Sequence, residues 1–575
     1  MERLVDRFTP ALEPDFFDRF SFFELYPFDG GGSFINHEII GSVDDAEYTD
    51  AVIRKGALDE FGGYGKIDFR KFDFWRTIER CSWIDRMYFI APMANHARKT
   101  HDRKLGRQVL DILLRFAGTP EYRAPETQQA VCALYDEVLR RRDQEYNALG
   151  PEFNAPVSYM WFDFQPASRI LHAVHAMWFL RDMDLLSEEE NRILEDLIFI
   201  HGQNIFWGEC SHIPLRPGNH QALRGTALMT ACAFFRGSRG TDAWIPVAER
   251  LCDYHIRNDF LRDGMLNDLS PSYHFFESWI ARDALKIADR EGYHLSAEAR
   301  AKAQKAFEVC RAMRQPDGFS TVISDGYPLD MSIFIQSLGS ETEKDELEIL
   351  LDESKIALKK DRAGNYLLFD CSPLLTKLSH FHGGKQAVTV FFEGKEFLAD
   401  PGCCSYDDED FSLYFKQSHS HSSLLVDGHG DSVLQGLYTW LSAPVCRISP
   451  WRDGVISSVM NSDAPGWEGV EWNRTVDFRS GRLEITDQIT SDSGHEYTFL
   501  FALGSGVECH VDGRKAQLTC GGVHVEALFD HPAEVREGQV FKDFAKRPAK
   551  HLVVRLEAES CTLKTVFICK HSNGR

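Results

Sequence analysis

The chain has 575 residues, 43% of them hydrophobic and 12% aromatic, so it is long and apolar enough to bury the cores of more than one domain. Its 87 acidic residues outnumber the 64 Lys and Arg residues, and the formal net charge is −23. This charge argues against nucleic acid as a partner, because phosphate binding needs a basic surface. No uninterrupted apolar segment reaches the length of a membrane span, so no membrane partner is expected.

The first residues lack the basic start and apolar run of a secretory signal. We therefore expect a cytoplasmic protein, or a secreted or periplasmic one only if a signal peptide has been removed. The 14 cysteines are scattered and include no CxxC pair. This spacing favours reduced thiols over a disulfide framework and provides no thiolate zinc knuckle.

The segment from about residue 74 to 312 predicts a long series of helices. Apolar residues recur at three- and four-residue spacing, with few β-branched runs and no glycine-rich phosphate loop. The predicted helices cover residues 75–97, 107–116, 127–141, 167–183, 188–204, 221–235, 243–257, 278–290 and 297–314. So many antiparallel helix pairs indicate an α/α toroid or a bundle.

The hydrophobic period changes in the second half of the chain. Residues 336–360 are rich in Glu, Asp and Lys with interspersed Leu, which predicts a linker helix. From residue 361 onward, short runs rich in β-branched and aromatic residues alternate with Gly, Asp and Pro. Residues 361–575 are therefore predicted to form an antiparallel β-sandwich domain.

The first polar cluster is Arg216-Pro-Gly-Asn219-His220-Gln-Ala-Leu-Arg224, which leads directly into an apolar helix. Asn219 is predicted to cap that helix. The two arginines are candidates for binding substrate anions, although a surface salt bridge is the alternative for Arg224. A helix cap with a structural histidine would also explain the cluster.

The second cluster runs from Asp263-Gly264 to Ser270-Pro271-Ser-Tyr273-His274. A glycine turn and a Ser-Pro helix start place Tyr273 in the first turn of a helix. Tyrosines at helix starts are mostly structural, so this segment does not define a site by itself. Trp161 lies in another aromatic segment, which indicates either sugar stacking at a cleft or core packing.

The third cluster is His380-Phe-His382-Gly-Gly, followed by Asp400-Pro-Gly and by His421. In a strand, the spacing of two would put His380 and His382 on one face, unless a turn at residues 383–384 separates them. His382, Asp400 and His421 offer nitrogen and oxygen donors that suit Zn²⁺. Surface histidines without a metal are the alternative, and no motif for an organic cofactor is present.

Taken in order along the chain, these motifs resemble the heparinase II/III-like superfamily of polysaccharide lyases. This superfamily includes heparin and heparan sulfate lyases and oligoalginate lyases, and the resemblance extends from about Trp75 into the second domain. It implies a multidomain α and β protein: an N-terminal α/α toroid, an incomplete barrel, over residues 1–335, followed by the antiparallel β-sandwich.

The resemblance also implies catalytic roles for four residues. Asn219 and His220 match the pair that neutralises the uronate carboxylate, Tyr273 matches the catalytic acid/base, and His380 matches the histidine facing it. Tyrosine serves as both base and acid when neighbouring cations lower its pKa. One departure is Asp268, which stands where the family often has Glu and could alter substrate contacts.

The resemblance further implies a zinc site formed by His382, Asp400 and His421. The metal is expected to be structural and to fix the chain segment that carries His380. The last motif usually reads His-Asn-Thr, whereas here it reads His421-Ser-Ser. This departure bears on the geometry of the zinc site.

The expected substrate is a uronate-containing oligosaccharide or polysaccharide, either a glycosaminoglycan such as heparin or heparan sulfate, or alginate. Cleavage by β-elimination would leave 4,5-unsaturated uronate ends. A glycoside hydrolase using Asp163, Asp263 and Asp268 is the second interpretation. It leaves the Asn-His, Tyr and His-x-His groups unexplained. A non-catalytic glycan-binding protein is the third interpretation, and assembly into a homo-oligomer is left open.

Overall fold

The computed structural model describes residues 15–20, 86–118, 165–210, 218–238, 240–339, 346–375, 380–406, 408–542 and 545–570, together with residues 46, 49, 50, 53, 63, 66, 67 and 215. The chain divides into two compact units. The helical unit comprises Met1–Asp259 and Phe276–Ala303, and the sheet unit comprises Phe260–Phe275 and Gln304–Arg575. The sheet unit thus includes residues 260–275 and 304–335, which were predicted to belong to the N-terminal domain.

The described helices are α1 (Phe16–Arg19), α2 (Ile90–Lys99), α3 (Arg103–Ala117), α4 (Gln165–Asp182), α5 (Glu188–Cys210), α6 (Asn219–Phe234), α7 (Ile245–Asn258), α8 (Pro271–Glu291), α9 (Ala297–Ala312) and α10 (Ser332–Ser337). The predicted helical region is confirmed, and the helix predicted over 127–141 lies outside the described residues. In the part of the chain that the structure covers, no helix combines the length and apolarity needed to cross a bilayer.

Two kinds of helix build the helical unit. Helix α3 is amphipathic: it buries Leu105, Val109 and Leu113 at four-residue spacing, and the Asp102 carboxylate caps its first turn by accepting from the Leu105 N–H at 2.9 Å. Helices α4 and α6, in contrast, are buried on nearly all sides. Such helices lie inside a helical layer rather than on its surface.

Helix α6 begins two residues before the predicted range of 221–235. Gly218, not Asn219, is the N-cap, with a φ of 152° that glycine adopts without strain. Its N–H donates to the carboxylate of Asp259 at 3.2 Å. The prediction that Asn219 caps the helix is therefore wrong, and Asn219 is instead the first residue of the helix.

The strands are β1 (Leu347–Leu351), β2 (Ile356–Lys360), β3 (Tyr366–Asp370), β4 (Ala387–Phe392), β5 (Lys395–Leu398), β6 (Leu424–Val426), β7 (Val433–Gln435), β8 (Thr439–Ser442), β9 (Val445–Ile448), β10 (Val455–Asn461), β11 (Glu471–Arg479), β12 (Arg482–Thr490), β13 (His495–Ala502), β14 (Glu508–Asp512), β15 (Lys515–Cys520), β16 (Val523–Phe529), β17 (Glu534–Lys542), β18 (Ala545–Ala558) and β19 (Cys561–Lys570). They form antiparallel sheets in the orders β1-β2-β3-β4-β5, β14-β15-β16-β19-β12-β11-β10-β9, β17-β18-β13-β6 and β7-β8. The prediction of an antiparallel second domain is confirmed.

The predicted linker helix over residues 336–360 is wrong. Strands β1 and β2 occupy residues 347–360 and pair as an antiparallel hairpin, with Leu347 opposite Lys360 and Leu351 opposite Ile356. Of the charged residues that suggested a helix surface, Asp352, Glu353 and Lys355 lie in the turn of this hairpin. Tertiary pairing with β3 outweighs the local helix propensity of Glu, Leu and Lys.

The five-stranded sheet is buried on both faces. Leu367, Phe369 and Val390 pack into one large core with residues of the eight- and four-stranded sheets. Alternate residues such as Leu368 and Phe391 pack instead against a second core formed with the chain around residues 265–269 and the end of α9. Strands β3 and β4 are therefore continuously apolar, because side chains on a strand alternate between faces.

Candidate active site

Tyr273 is held in place by the start of helix α8. Ser270 Oγ donates to the Asp325 carbonyl at 2.9 Å. Ser272 Oγ donates to the Tyr327 carbonyl at 3.1 Å and accepts from the Tyr327 N–H at 2.7 Å. These bonds attach the first turn of α8 to the segment around Asp325, so the prediction that Tyr273 lies in a first helical turn is confirmed.

Tyr273 and His380 form a stacked pair in the sheet unit. Their ring centroids are 3.9 Å apart and the ring planes differ by 12°. His380 Nδ1 donates to the Asp268 carboxylate at 2.6 Å, which fixes the ring orientation and leaves Nε2 as the unprotonated nitrogen of the neutral imidazole. The pair thus places a phenol and an oriented imidazole side by side, and Asp268 supports the histidine.

His380 and His382 do not share a strand face, because residues 380–386 form no strand and β4 begins at Ala387. The side chain of His380 is 22% exposed, whereas that of His382 is 1% exposed. A turn at Gly384, with a φ of 80°, follows the pair, and a Cβ there would lie 2.7 Å from the Cβ of His421. The two histidines therefore lie in different environments, and the chain turns directly after them.

Tyr406 contacts the Tyr273–His380 pair from the loop after β5. Its hydroxyl lies 2.7 Å from the Tyr273 hydroxyl, and its ring is parallel to that of His380 at 6.5 Å. The Tyr406 hydroxyl also lies 3.3 Å from Asp325 Oδ2. The two tyrosines and Asp325 therefore form a continuous hydrogen-bonded chain.

Asp325 is a fully buried centre for several polar groups. Its carboxylate accepts from His382 Nε2 at 2.7 Å and pairs with Lys416 Nζ at 3.3 Å, and neither Asp325 nor Lys416 is exposed. Its backbone N–H donates to the His380 carbonyl at 2.9 Å. Burial alone would raise the pKa of Asp325, but Lys416 and the histidines lower it overall, so the carboxylate is charged at neutral pH.

The tyrosines of this site are protonated at neutral pH. Burial raises the pKa of Tyr273 well above its usual value, and the nearby Asp325 and Asp268 carboxylates raise it further. Burial likewise raises the pKa of Tyr406 well above its usual value. The expectation that neighbouring cations lower the pKa of Tyr273 is therefore wrong, and Tyr273 is suited to act as an acid.

Two opposing effects act on the pKa of His380. Burial lowers it, whereas the Asp268 carboxylate raises it through charge and hydrogen bonding, and the net shift is upward. A neutral His380 is therefore a stronger base than an ordinary histidine. The structure thus gives Asp268 a role in the site that the sequence did not reveal.

Sequence reasoning missed Tyr406, Asp325 and Lys416. None lies in a motif that carries the resemblance, and each reaches the site from its own loop or turn. Tyr406 follows Asp400-Pro-Gly-Cys-Cys by only a few residues, so the proximity of an aromatic hydroxyl to that motif was the one available signal. Asp325 and Lys416 offered no local signal, because their relevance arises from burial and pairing.

Asn219 and His220 lie in the helical unit, in the first turn of α6, and both are partly exposed. The next residue, Gln221, accepts from His255 Nε2 at 3.0 Å and donates to Glu209 at 2.8 Å. A buried hydrogen-bond network therefore fixes this helix end immediately beside the two predicted residues. Helix N-termini favour negative charge, which suits groups meant to bind a carboxylate.

The prediction that Arg224 binds substrate anions is not supported. Arg224 is 1% exposed, and its Nε donates to the Glu209 carboxylate at 2.6 Å. Separating the two side chains would leave a buried charge without its counter-ion, which is unfavourable. The Arg224–Glu209 ion pair therefore has a structural role, because it joins α5 to α6. Arg216 and Trp161, the other predicted substrate-binding residues, lie outside the described residues.

His382, Asp400 and His421 lie close together in the sheet unit. His421 Nδ1 is 3.0 Å from Asp400 Oδ2, and the His382 and His421 ring centroids are 5.6 Å apart. The three side chains do not converge on one point. Within the described ranges, no group of three or more His, Cys, Asp or Glu residues is arranged to hold a metal ion.

The donor chemistry of the three residues nevertheless fits a metal. His382 donates from Nε2 to Asp325, so its Nδ1 carries a lone pair, and that atom is buried without a hydrogen-bond partner. Both ring nitrogens of His421 face acceptors, Nδ1 the Asp400 carboxylate at 3.0 Å and Nε2 the Phe415 carbonyl at 3.1 Å, so Nδ1 would offer a lone pair to a metal when Nε2 carries the hydrogen. Imidazoles oriented by outer hydrogen bonds in this way are typical zinc ligands.

Two family models match the chain in succession. The model described as heparinase II/III N-terminus matches residues 61–344, and the model described as heparinase II/III-like, C-terminal, matches residues 349–567. Together they span most of the sequence. A comparison with curated protein sequences finds no significant match.

Several solved structures share the fold. A heparinase III structure is 13% identical, with a TM-score of 0.67 over 98% of this chain and 88% of that one. Another heparinase III is 15% identical, with a TM-score of 0.61 over 89% of this chain and 82% of that one. The heparan sulfate lyase HepC from Pedobacter heparinus is 14% identical, with a TM-score of 0.56 over 89% of this chain and 80% of that one. At these identities the likeness establishes the fold.

Proposed function

Because the chain belongs to the heparinase II/III-like family of polysaccharide lyases, we propose that it cleaves a uronate-containing glycosaminoglycan by β-elimination. The observation that carries the proposal is the stacked Tyr273–His380 pair. It places a protonated phenol and an oriented imidazole 3.9 Å apart, ring to ring, so one sugar residue could meet an acid and a base together.

The chemistry explains why these groups are needed. Removing the C5 proton of a uronate builds negative charge beside a carboxylate that is already anionic. Asn219 and His220 are proposed to donate hydrogen bonds to that carboxylate, which stabilises the developing enolate-like charge. Their place in the first turn of α6 supports this assignment, since helix N-termini favour anions.

His380 is proposed to take the C5 proton and Tyr273 to protonate the departing O4. The Asp268 hydrogen bond supports the first role because it orients the imidazole and stabilises its protonated form. The raised pKa of Tyr273 supports the second, because the phenol keeps its proton until the leaving oxygen needs it. Two separate groups thus carry the two proton transfers of the proposed reaction.

A glycoside hydrolase is less well supported. Such an enzyme needs two carboxyl groups flanking the scissile bond. Asp268 accepts the His380 hydrogen bond. The Asp263 carboxylate accepts from three backbone N–H groups and from Ser354 Oγ. Both are engaged in supporting other groups, and Asp163 lies outside the described residues.

We propose heparan sulfate or a related glycosaminoglycan as the substrate class, because the structures that share the fold include a heparan sulfate lyase and heparinase III. We also propose that His382, Asp400 and His421 bind a structural zinc ion, which would fix the segment carrying His380. With zinc bound, the metal would be the partner of His382 Nδ1, which is buried without a hydrogen-bond partner in the structure.

The test is a panel of heparan sulfate, heparin, other glycosaminoglycans and alginate, assayed by the ultraviolet absorbance of unsaturated uronates, with elemental analysis for zinc on the same preparation. Tyr273→Phe is expected to lower kcat by about 10²–10⁴ because it removes the acid. Tyr497→Phe is the matched control, since that hydroxyl donates to the Glu559 carbonyl and also hydrogen-bonds Ser491, neither of which belongs to the Tyr273–His380 site. Chain cleavage without the absorbance, or full turnover by Tyr273→Phe, would contradict the proposal.

A further inference from the structure

The proposed mechanism leaves Tyr406 without a role, although its hydroxyl lies 2.7 Å from the Tyr273 hydroxyl. We propose that Tyr406 is a further active-site residue: it donates its hydrogen bond to the Tyr273 oxygen and stabilises the phenolate formed when Tyr273 protonates the leaving sugar oxygen. This inference rests on the proposed function and adds a residue to the same site.

The direction of the hydrogen bond follows from counting hydrogens. A phenol hydroxyl has one hydrogen, and Tyr273 must direct its own toward the substrate if it is the acid. The 2.7 Å contact is then donated by Tyr406 and accepted by Tyr273. Because Tyr273 is only 3% exposed, few water molecules are available to replace that donor.

The surroundings hold Tyr406 in the donating position. Its ring packs against Phe411 at 4.7 Å and edge-on against Tyr438 at 5.6 Å. Its competing acceptor is Asp325, at the longer distance of 3.3 Å. That carboxylate already accepts a 2.7 Å bond from His382 and pairs with Lys416, so its charge is largely compensated. The Tyr406 hydrogen is therefore available to Tyr273.

The proton balance of the step is simple. His380 takes the proton from C5, the C5 electron pair forms the C4–C5 double bond, and the C4–O4 bond breaks. Tyr273 gives its proton to O4 and becomes a phenolate, while Tyr406 keeps its own proton and shares it as a hydrogen bond. Hydrogen bonds to a charged group are about twice as strong as neutral ones, so Tyr406 stabilises the later state more than the ground state.

A purely structural Tyr406 would behave differently. In that arrangement Tyr273 would donate permanently to Tyr406, and Tyr406 would donate to Asp325. Removing the Tyr406 hydroxyl would then free the Tyr273 proton for the substrate. Turnover would stay the same or rise, which is the opposite of the effect we infer.

The kinetic test is Tyr406→Phe, which keeps the ring and removes the hydroxyl, measured on the full chain with Tyr497→Phe as the matched control. We expect kcat to fall about 10- to 100-fold, the effect of one hydrogen bond to a charged group, with KM changed less than about threefold. Thermal unfolding of both variants checks that the fold is kept. Unchanged or increased kcat in Tyr406→Phe overturns the inference.

A second measurement does not depend on substrate. A fluorinated tyrosine with a more acidic phenol is placed at position 273, and its ionisation is followed by fluorine NMR with Tyr or Phe at position 406. The charged and titratable groups facing Tyr273, namely Asp268, Asp325, His380 and Cys403, are the same in both proteins. Loss of the donor should raise the midpoint by about one pH unit or more.

The two measurements separate the inference from the proposed function. If no glycan yields unsaturated product but the midpoint rises, the lyase assignment fails while the Tyr406 hydrogen bond to the phenolate stands. If the wild-type protein is a lyase and the midpoint does not move, the inference on Tyr406 fails alone.

Discussion

His274, the residue after Tyr273, shows how one side chain fixes the start of helix α8. Its Nδ1 accepts from the Leu266 N–H at 3.1 Å and its Nε2 donates to the Ala306 carbonyl at 3.0 Å. Only the neutral tautomer with hydrogen on Nε2 satisfies both partners. Burial lowers the pKa of His274 to about 4, which keeps the imidazole neutral.

From the lowered pKa of His274 we expect the folded state to lose stability at acid pH. Because the pKa of His274 is lower in the folded state than its ordinary value of 6.5, the folded state binds fewer protons. Its contribution to stability is complete above pH 6.5 and is lost as the pH falls toward 4, by about 2 kcal/mol near pH 5. Urea unfolding at pH 7 and 5 should show a smaller loss for His274→Gln than for the wild type. Equal losses would contradict this account.

At the scale of elements, the β1–β2 hairpin is anchored by a single carboxylate. Asp263 Oδ2 accepts from the Glu353 N–H, the Ser354 N–H and Ser354 Oγ at 3.0, 2.8 and 2.7 Å, and its Oδ1 accepts from the Met265 N–H at 3.1 Å. The bonds attach the hairpin turn to the chain that leads into α8. Asp263 is therefore a structural residue of the sheet unit.

Asp263→Ala should lower the free energy of unfolding by about 1–3 kcal/mol, because several partly buried donors lose their acceptor. Asp317→Ala is the control, since Asp317 accepts one backbone hydrogen bond in an exposed turn. Below its melting temperature, Asp263→Asn should still produce unsaturated uronates. Complete loss of glycan cleavage in a folded Asp263→Asn protein would instead favour the hydrolase interpretation.

At the scale of the whole molecule, the net charge of −23 opposes the approach of a polyanionic glycan. Several cations of the described residues are buried in ion pairs, including Arg224 with Glu209, Lys385 with Asp370 and Lys416 with Asp325. These pairs stabilise local structure and add little field outside the protein. Long-range electrostatics should therefore slow substrate association.

Added salt is then expected to raise kcat/KM for long uronate chains from low ionic strength up to roughly 0.1 M, where the Debye length is about 10 Å. The reason is that screening weakens the repulsion before binding, so kcat at saturating substrate should change little. Steady-state kinetics at several salt concentrations checks this. A steady fall of kcat/KM with salt would show that a local basic surface dominates instead.

The sequence alone determined the order of architectures and the positions of the main motifs. The three- and four-residue spacing of apolar residues fixed the helical region, and the short β-rich runs fixed the antiparallel region, because these periods follow directly from backbone geometry. The Ser-Pro start also placed Tyr273 correctly in a first helical turn. The ordered set of short motifs further predicted the family before any fold was known.

Only the tertiary structure decided which residues act together. The sequence predicted a linker helix over residues 336–360, but residues 347–351 and 356–360 pair as strands. It also offered Arg224 as a cation for binding substrate, although Glu209 neutralises this arginine. The structure also brought Tyr406 and Asp325 to Tyr273 from distant points of the chain. Strand pairing, burial and hydrogen bonding between distant segments arise only when the chain is packed. Local sequence patterns therefore do not predict which of these residues will meet.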